Sequence, residues 1–362
     1  MSTIFLTGFP GFLAASLLPR ILSRAETPKV VCLVQPRYMR LAEERAAQVA
    51  QALRLPPGRI ELVSGDLTRP DLDLADCRSR FASVTEIFHL AAVYDLSVPR
   101  DLALAVNVKG TEHVLEAATS APHLKRFHYV STCYVAGKHA GRFREEDLEL
   151  GQSFHNHYEE TKYLAEVAVR SALRQGLPTS IYRPAIVVGD SQTGETQKFD
   201  GPYFILRWLL RQPGLAFLPV PEGVEEAKLN VVPRDFVIAA IAALSTLPEA
   251  TGKTFHLADP NPPSVDEVIR AFADVTQRVI VRLPASIRAA KWFLSNVPGA
   301  QWLTGIPPEA VDYFVYRAEF DTAQATPALQ SLGIQCPRFL DYLPRLVDYL
   351  RKHPEIPAKG LA

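Results

Sequence analysis

Five short apolar runs, each followed by a longer segment of helical period, fill the first half of this chain: "TIFLTG", "KVVCLVQ", "IELVSGD", "EIFHLAA" and "RFHYVSTCYVAG", with helical segments at 12–24, 38–53, 71–82, 100–120 and 156–175. A sixth run, "TSIYRPAIVVGD", closes the series. Strands that read as nearly continuous Val, Ile, Leu and Phe are buried on both faces, as parallel strands covered by helices must be. The alternation is a βαβ rhythm. It predicts an α/β fold, a doubly wound parallel sheet with a smaller, mostly helical C-terminal substrate part.

The rhythm fails after residue 190, where "GDSQTGETQKFDGPYFILRWLLRQPG" reads as a polar loop leading into an aromatic helix. "KLNVVPRDFVIAAIAAL" and "KTFHLADP" restore strand patterns. The expected division is therefore a dinucleotide-binding part over 1–190, rejoined by 229–260, and a substrate part over 191–228 and 261–362. The substrate part is rich in large apolar side chains: Phe204 and Trp208, and from 264 onward Trp292, Phe293, Trp302, Tyr313, Phe314 and Tyr316. Most of these pack small helices together, and a minority line a hydrophobic pocket. The stretch "WFLSNVPGAQWL" is apolar enough to touch lipid, and the proline-dotted tail at 353–362 reads as frayed.

Composition narrows the function classes. Hydrophobic residues make up 48% and charged residues 22%, as in a globular protein, and 39 basic residues balance 39 acidic ones. A chain without net charge has no overall field to attract nucleic acid, so none is expected as a partner. Cys32, Cys77, Cys133 and Cys336 are scattered without a C-x-x-C pair, which suggests neither a metal site nor a disulfide framework and fits a reducing cytoplasm. No uninterrupted apolar stretch is long enough to predict a membrane span. The apolar N-terminus lacks the basic flank of a signal peptide.

"FLTGFPGFLAASLL" joins a strand, a tight glycine turn and a helix start. In that context Gly8 lets the chain turn off the strand, Gly11 lets backbone amides approach a pyrophosphate, and the helix N-terminus beyond attracts its charge. Ala14 stands where a third glycine is often found. The whole turn, Thr7, Gly8, Phe9, Pro10, Gly11, Phe12 and Leu13, is the expected cofactor cradle. At the end of the second strand, "CLVQPRYMR" carries Gln35, Arg37 and Arg40 in place of the acidic residue that favours a free ribose 2′-hydroxyl. Guanidinium groups suit a 2′-phosphate, so NADP(H) is expected over NAD(H). Asp66 and Leu67, ending the third strand, would meet the adenine.

In "HNHYEETKYLAE", Tyr158 and Lys162 lie one helical turn apart on one face. Thr132, in "YVSTCYVAG", comes from a strand end that faces the ligand crevice. Thr132 would hold a reacting oxygen, Tyr158 would give it a proton, and the Lys162 ammonium would stabilise the phenolate and bond the nicotinamide ribose. Hydride chemistry belongs to the cofactor.

With these residues in view the chain resembles an extended short-chain dehydrogenase/reductase, a Rossmann-type superfamily. "TGFPGFLA", "GDL", "HLAA", "NVKGT", "STCYVAG", "YEETK" and "YRPAIVVGD" fall in family order over roughly the first 190 residues. The resemblance implies that Thr132, Tyr158, Lys162 and Asn107 are the catalytic set. It also implies that Ala91 and Ala92 run along the cofactor and that Pro184, Ile186 and Val187 face the nicotinamide. Thr161, where serine is common, departs mildly from the pattern. Within the superfamily, "TGFPGFL" and "LNVVPRDFVIAAIAAL" resemble the thioester reductase and fatty acyl reductase branch, of the male sterility type. That branch implies NADPH-dependent reduction of an acyl thioester, carried on CoA or a carrier protein, to an aldehyde or alcohol. Gln35 stands where the branch often has arginine.

The leading expectation is an NADP(H)-dependent oxidoreductase reducing a carbonyl of a hydrophobic substrate, in a pocket that includes Tyr94, Cys133, Phe204 and Trp208. Two alternatives stand beside it: a hydroxysteroid-like dehydrogenase or nucleotide-sugar epimerase, for which Arg207 and Arg211 would hold a diphosphate, and a non-catalytic NADP-binding sensor or scaffold. Several residues have plainer readings. His155 and His157 solvate a helix start, His89 and His256 are core histidines, Asp235 caps a helix, and "REEDLELG" at 144–151 is a solvated acidic loop. The helices at 100–120 and 156–175 would suit a two-fold homodimer contact as well as a layer over the sheet.

Overall fold

The computed structural model describes residues 2–94, 97–221, 224, 227–298 and 304–358. Its centre is a parallel sheet built from β1 (Thr3–Thr7), β2 (Lys29–Val34), β3 (Ile60–Ser64), β4 (Val84–His89), β5 (Arg126–Val130), β7 (Thr179–Pro184) and β11 (Thr254–Leu257). Among the described residues these seven strands run in the order β3-β2-β1-β4-β5-β7-β11. The order reverses between β1 and β4, and a crevice opens there at the carboxyl ends of the strands.

Helices α1 (Phe12–Leu22) and α2 (Met39–Ala52) follow the first two strands. After β4 the chain forms α4 (Arg100–Ala103), a π-helical turn (Leu104–Lys109) and α5 (Gly110–Thr119) as one nearly continuous rod. The long helix α6 (His157–Arg174) begins at Asn156, whose side chain accepts a 3.0 Å bond from the Glu159 amide. One face of the sheet packs on α1 and on α8 (Arg234–Leu244) through Leu17, Phe88 and Ile241; the other packs on α5 and α6 through Phe127, Val114 and Val169.

The expected helix at 71–82 is only partly present. Asp71, Leu72 and Asp73 take left-handed backbone conformations, and a short helix, α3, spans Cys77–Phe81. The reason is closure: Leu72 is buried, and its carbonyl accepts a 3.0 Å bond from the Asp66 amide, folding the turn back onto the end of β3.

The strands expected in "KLNVVPRDFVIAAIAAL" and "KTFHLADP" are present, and the C-terminal half holds others besides. Thr254–Leu257 joins the main sheet beside β7. In addition β8 (Ile186–Val188) pairs with β10 (Val231–Pro233), β6 (Gly141–Phe143) pairs with β13 (Ala318–Phe320), and β9 (Leu215–Pro221) pairs with β12 (Val279–Ala285), all in parallel. Helices α7 (Pro202–Arg211), α9 (Val265–Thr276) and Phe339–Lys352 enclose a further core around Phe199, Tyr203, Phe272 and Tyr342. Helix α10 (Ile287–Asn296) and a 3-10 segment, Pro308–Val315, pack against each other beside it.

Three local expectations are corrected. The tail is held rather than frayed as far as residue 358: the Phe199 amide donates to the Pro357 carbonyl at 2.9 Å, and Arg207 donates to the carbonyls of Pro354 and Ile356. Glu145, in the supposedly solvated acidic loop, is buried and accepts backbone N–H bonds from His256, Gln324 and Ala325. Asp235 lies in the first turn of α8, not at its cap, and its carboxylate accepts from the Ser191 amide and hydroxyl.

Candidate active site

A cavity of about 860 Å³ runs along the carboxyl ends of β1 to β5. Every residue expected at the cofactor lines it, from Thr7 to Leu13 through Arg37, Asp66, Leu67, Ala91 and Ala92 to Tyr158, Lys162, Pro184, Ile186 and Val187. Its floor at the turn leaves no room for larger side chains. Gly8 has φ +89° and an added Cβ would sit 2.9 Å from the Ala91 nitrogen, while one on Gly11 would meet the Gly8 carbonyl at 2.7 Å. The Gly11 amide donates to that same carbonyl, closing the turn at 2.7 Å.

A directed hydrogen-bond chain runs from the turn towards α6. Thr7 Oγ1 accepts from the Leu90 and Ala91 amides, so its single proton goes to His89 Nδ1, 2.7 Å away. His89 Nε2 then donates to Thr111 Oγ1 at 3.0 Å, because that hydroxyl gives its own proton to the Asn107 carbonyl at 2.6 Å. The ring must be neutral, and burial, with Lys162 nearby, pushes it down to about 3. Asn107 itself is buried away from the cavity. Its amide bonds the Val93 backbone and Thr161 Oγ1, so it positions α6 rather than lining the site.

Thr132, Tyr158 and Lys162 converge on the cavity wall. The Thr132 hydroxyl donates to the Pro184 carbonyl at 3.3 Å and lies close to the Tyr158 phenol. Lys162 Nζ donates to Tyr129 Oη at 2.9 Å and to the Val130 carbonyl at 2.8 Å. Burial dominates both titrations: the Tyr158 phenol is pushed well above its ordinary range, with the Thr132 contact opposing, and the Lys162 ammonium is pulled down to about 7. Burial therefore prevails over the expected lowering of the phenol by the amine, whose Nζ is directed to Tyr129 and Val130.

One turn further along α6, Glu166 is wholly buried and bound by Arg183 at 2.6 Å, Ser131 Oγ at 2.6 Å and Arg170 at 3.1 Å. Burial, the largest single influence, raises this carboxyl, but the charge and hydrogen bonds of Arg183, with Arg170 and Ser131, together outweigh it and hold Glu166 at about 2. The ion pair fastens the Tyr158 helix to β7.

Around Tyr158 the cavity wall is phenolic. Tyr94 stands edge-on to Tyr158 with centroids 4.7 Å apart, and Lys198 Nζ lies 3.8 Å above the Tyr94 ring. Tyr134 and Tyr313 complete the wall, Tyr313 being fixed by a 3.0 Å bond to Glu159. Of the four expected pocket residues only Tyr94 lines this cavity. Cys133 is buried, its thiol directed to the Arg183 carbonyl; Phe204 is buried in α7; Trp208 donates to the Phe217 carbonyl. Trp302 lies outside the described residues. Tyr313 comes from the set of large C-terminal side chains of which a minority was expected to line a pocket, whereas sequence reasoning missed Tyr134, Lys198 and Arg45, the last donating to the Pro10 carbonyl and to Gln197. Only Tyr134, two residues after Thr132, sat close enough to a motif to be found.

Arg207 is held by tail carbonyls and stacks on Phe199, so it is not placed to hold a diphosphate. Among the described residues no three His, Cys, Asp or Glu side chains gather as a metal site, and no helix is long and apolar enough to cross a membrane.

Comparison with known proteins agrees with this geometry. A linear gramicidin synthase from Brevibacillus parabrevis is 32% identical over 321 residues, which is 85% of this chain and 6% of that protein. The L-2-aminoadipate reductase of Penicillium chrysogenum, in its large subunit, is 29% identical over 274 residues, 69% of this chain and 19% of that one. The chain thus spans a small fraction of these curated relatives. Among solved structures, the terminal R domain from the myxalamid PKS-NRPS biosynthetic pathway superposes with a TM-score of 0.81 at 27% identity, covering 99% of this chain and 92% of that one. The NAD complex of UDP-glucuronic acid 4-epimerase from Bacillus cereus shares the fold, with a TM-score of 0.67 at 19% identity and 98% of each chain covered. The family model described as male sterility protein matches residues 6–241. With its parallel sheet, glycine turn and Thr132, Tyr158 and Lys162 at one cavity, the chain belongs to the male sterility protein family, and is an oxidoreductase of the extended short-chain dehydrogenase/reductase type.

Proposed function

We propose that this chain is an NADP(H)-dependent reductase acting on the carbonyl of a hydrophobic acyl thioester, carried on CoA or a carrier protein, and yielding an aldehyde or, by a second round, an alcohol. The observation that carries the reading is one continuous cavity joining the glycine turn to Thr132, Tyr158 and Lys162. Relatives described as an aminoadipate reductase and a terminal R domain support the same class of reaction.

The cavity suits a dinucleotide in volume and in donor chemistry. The turn and α1 offer amides to a pyrophosphate, and Arg37, stacked on Tyr38 and bonded to Gln35, lines the wall beyond β2 where a 2′-phosphate would lie. Lys162 would bond the nicotinamide ribose. When bound, the cofactor supplies the hydride. The chain supplies the rest. Thr132 would hold the substrate oxygen, and Tyr158, whose raised pKa keeps it protonated at neutral pH, would protonate that oxygen as hydride reaches the carbonyl carbon, giving a hemithioacetal whose C–S bond then breaks to release the carrier thiol and the aldehyde. Lys162, near neutrality in its titration, would return a proton to the site. Tyr94, Tyr134 and Tyr313 would exclude water and receive the apolar part of the substrate.

The test is turnover of an acyl-CoA with NADPH and with NADH, in wild type and in Tyr158→Phe. Loss of a general acid lowers kcat by about 10² to 10⁴-fold. The expected result is that loss, with NADPH binding retained and preferred over NADH. Unchanged turnover in Tyr158→Phe removes the phenol from the mechanism. A substrate survey in which only ketones or nucleotide sugars react removes the thioester reading.

A further inference from the structure

An apolar face in the C-terminal half is used by nothing described above. The β9–β12 register sets Leu215 beside Val279, Phe217 beside Val281 and Pro219 beside Leu283, and side chains paired in a parallel ladder share a face. Leu215, Phe217, Val279 and Leu283 stand exposed, Val279 at 67%. Ala216 and Leu218, alternating with them, point into the core. The chain continues from β12 into α10, which buries Leu294 and leaves Trp292 63% exposed and Phe293 exposed beside it. Six of the ten exposed large apolar side chains among the described residues belong to this one lobe.

Charge on the lobe is as uneven as its polarity. The segments 201–221 and 278–298 together carry Arg207, Arg211, Arg278, Arg282, Arg288 and Lys291 and no aspartate or glutamate, in a chain whose formal charge is zero. Among the described residues Asp266 pairs with Arg282 and Asp312 with Lys291. Arg207 and Arg278 bond backbone carbonyls, which leave their charge in place, and Arg288 is exposed on the same helix as Trp292. An exposed tryptophan and phenylalanine on a short helix, beside arginines and an apolar ribbon, is the chemistry that seats a protein in the headgroup layer of an anionic bilayer.

We infer that this lobe, centred on Trp292, Phe293 and the outer face of β9–β12, binds an anionic lipid surface peripherally. The inference is independent of the proposed reaction, although the two are spatially linked. The Pro308–Val315 segment lies against α10 and its Tyr313 lines the large cavity, so a membrane-borne acyl group would meet the site from this side.

Sedimentation of the whole chain with vesicles of phosphatidylcholine, with and without phosphatidylglycerol, tests it. Binding is expected only to the phosphatidylglycerol vesicles and should fall as salt shortens electrostatic range. Arg288→Gln should weaken it about fivefold, the contribution of one cation near such a surface. Trp292→Ser with Phe293→Ser should abolish it, while circular dichroism and NADPH binding stay as in wild type; if that pair fails to fold, Phe217→Ser repeats the test. No binding to anionic vesicles, equal binding to neutral ones, or binding untouched by folded variants overturns the inference. So does a concentration-dependent dimer, or a complex with an acidic carrier domain, that the same substitutions abolish while vesicle binding is absent.

Discussion

Replacing Glu166 with glutamine keeps the volume of the side chain and deletes one charge from a place where water cannot compensate. Both Glu166 and Arg183 have no exposed side-chain area, and Arg183 donates to the carboxylate from Nη2 at 2.6 Å and from Nε at 3.1 Å. Burial alone would raise the carboxyl, yet Arg183, aided by Arg170 and Ser131, holds it at about 2 against an ordinary 4.5. At about 1.4 kcal/mol per pKa unit, that shift corresponds to about 3 kcal/mol of folding stability. Breaking a buried ion pair by removing one partner costs about 3 to 5 kcal/mol, so two separate arguments meet. The sign follows from the depressed folded pKa. The contribution is complete above the unfolded pKa of 4.5 and is lost as pH falls through 2. Urea unfolding followed by far-UV circular dichroism should show Glu166→Gln about 3 kcal/mol less stable at pH 7, with the gap to wild type closing from pH 5 towards pH 2. Because Glu166 continues the face that carries Tyr158 and Lys162, turnover should fall together with stability. A gap under about 1 kcal/mol at pH 7, or one indifferent to pH below 5, would refute the reasoning.

Two further substitutions probe the cavity. Gly8→Ala forces a Cβ onto a backbone at φ +89° and within 2.9 Å of the Ala91 nitrogen, so the turn must open. Left-handed strain of about 1 to 2 kcal/mol plus the clash should weaken NADPH binding at least about tenfold, read by nucleotide fluorescence titration. Lys162→Met should change how stability depends on pH. The wild-type amine titrates near 7 folded and near 10.5 unfolded, so the wild type gains stability relative to the variant as pH rises between those values, by about 1.4 kcal/mol per unit at most. Thermal melts at pH 7 and pH 9 read the difference, and a wild type that loses stability relative to the variant as pH rises contradicts the buried, neutral-leaning amine.

The main sheet was legible because parallel strands buried on both faces must be apolar throughout, and β1 to β5 and β7 announce themselves in that way. "KTFHLADP" showed its return to the sheet by the same signal. The glycine turn was legible because a backbone packed within 3 Å of its neighbours leaves only glycine, as at Gly8. The grouping of Thr132, Tyr158 and Lys162 was legible because a strand end and a four-residue helical spacing place them with no knowledge of anything else.

Other features carry no such local mark. Leu215–Pro221 and Val279–Ala285 pair as strands although 57 residues of chain lie between them, and neither segment names its partner. Glu145 reads as one acid in a charged loop, and only the convergence of His256, Gln324 and Ala325 shows that backbone amides bury it. Tyr313 reaches the cavity from far along the chain by way of Glu159, while Phe204 and Trp208, chosen for their size, turn to other neighbours. The sequence by itself determined the sheet, the glycine cradle and the meeting of Thr132, Tyr158 and Lys162, since periodicity and sterics act over a few residues. The tertiary structure decided which phenols wall the pocket, which carboxylates are buried and which apolar face is left outward, since each depends on groups brought together only when the chain folds.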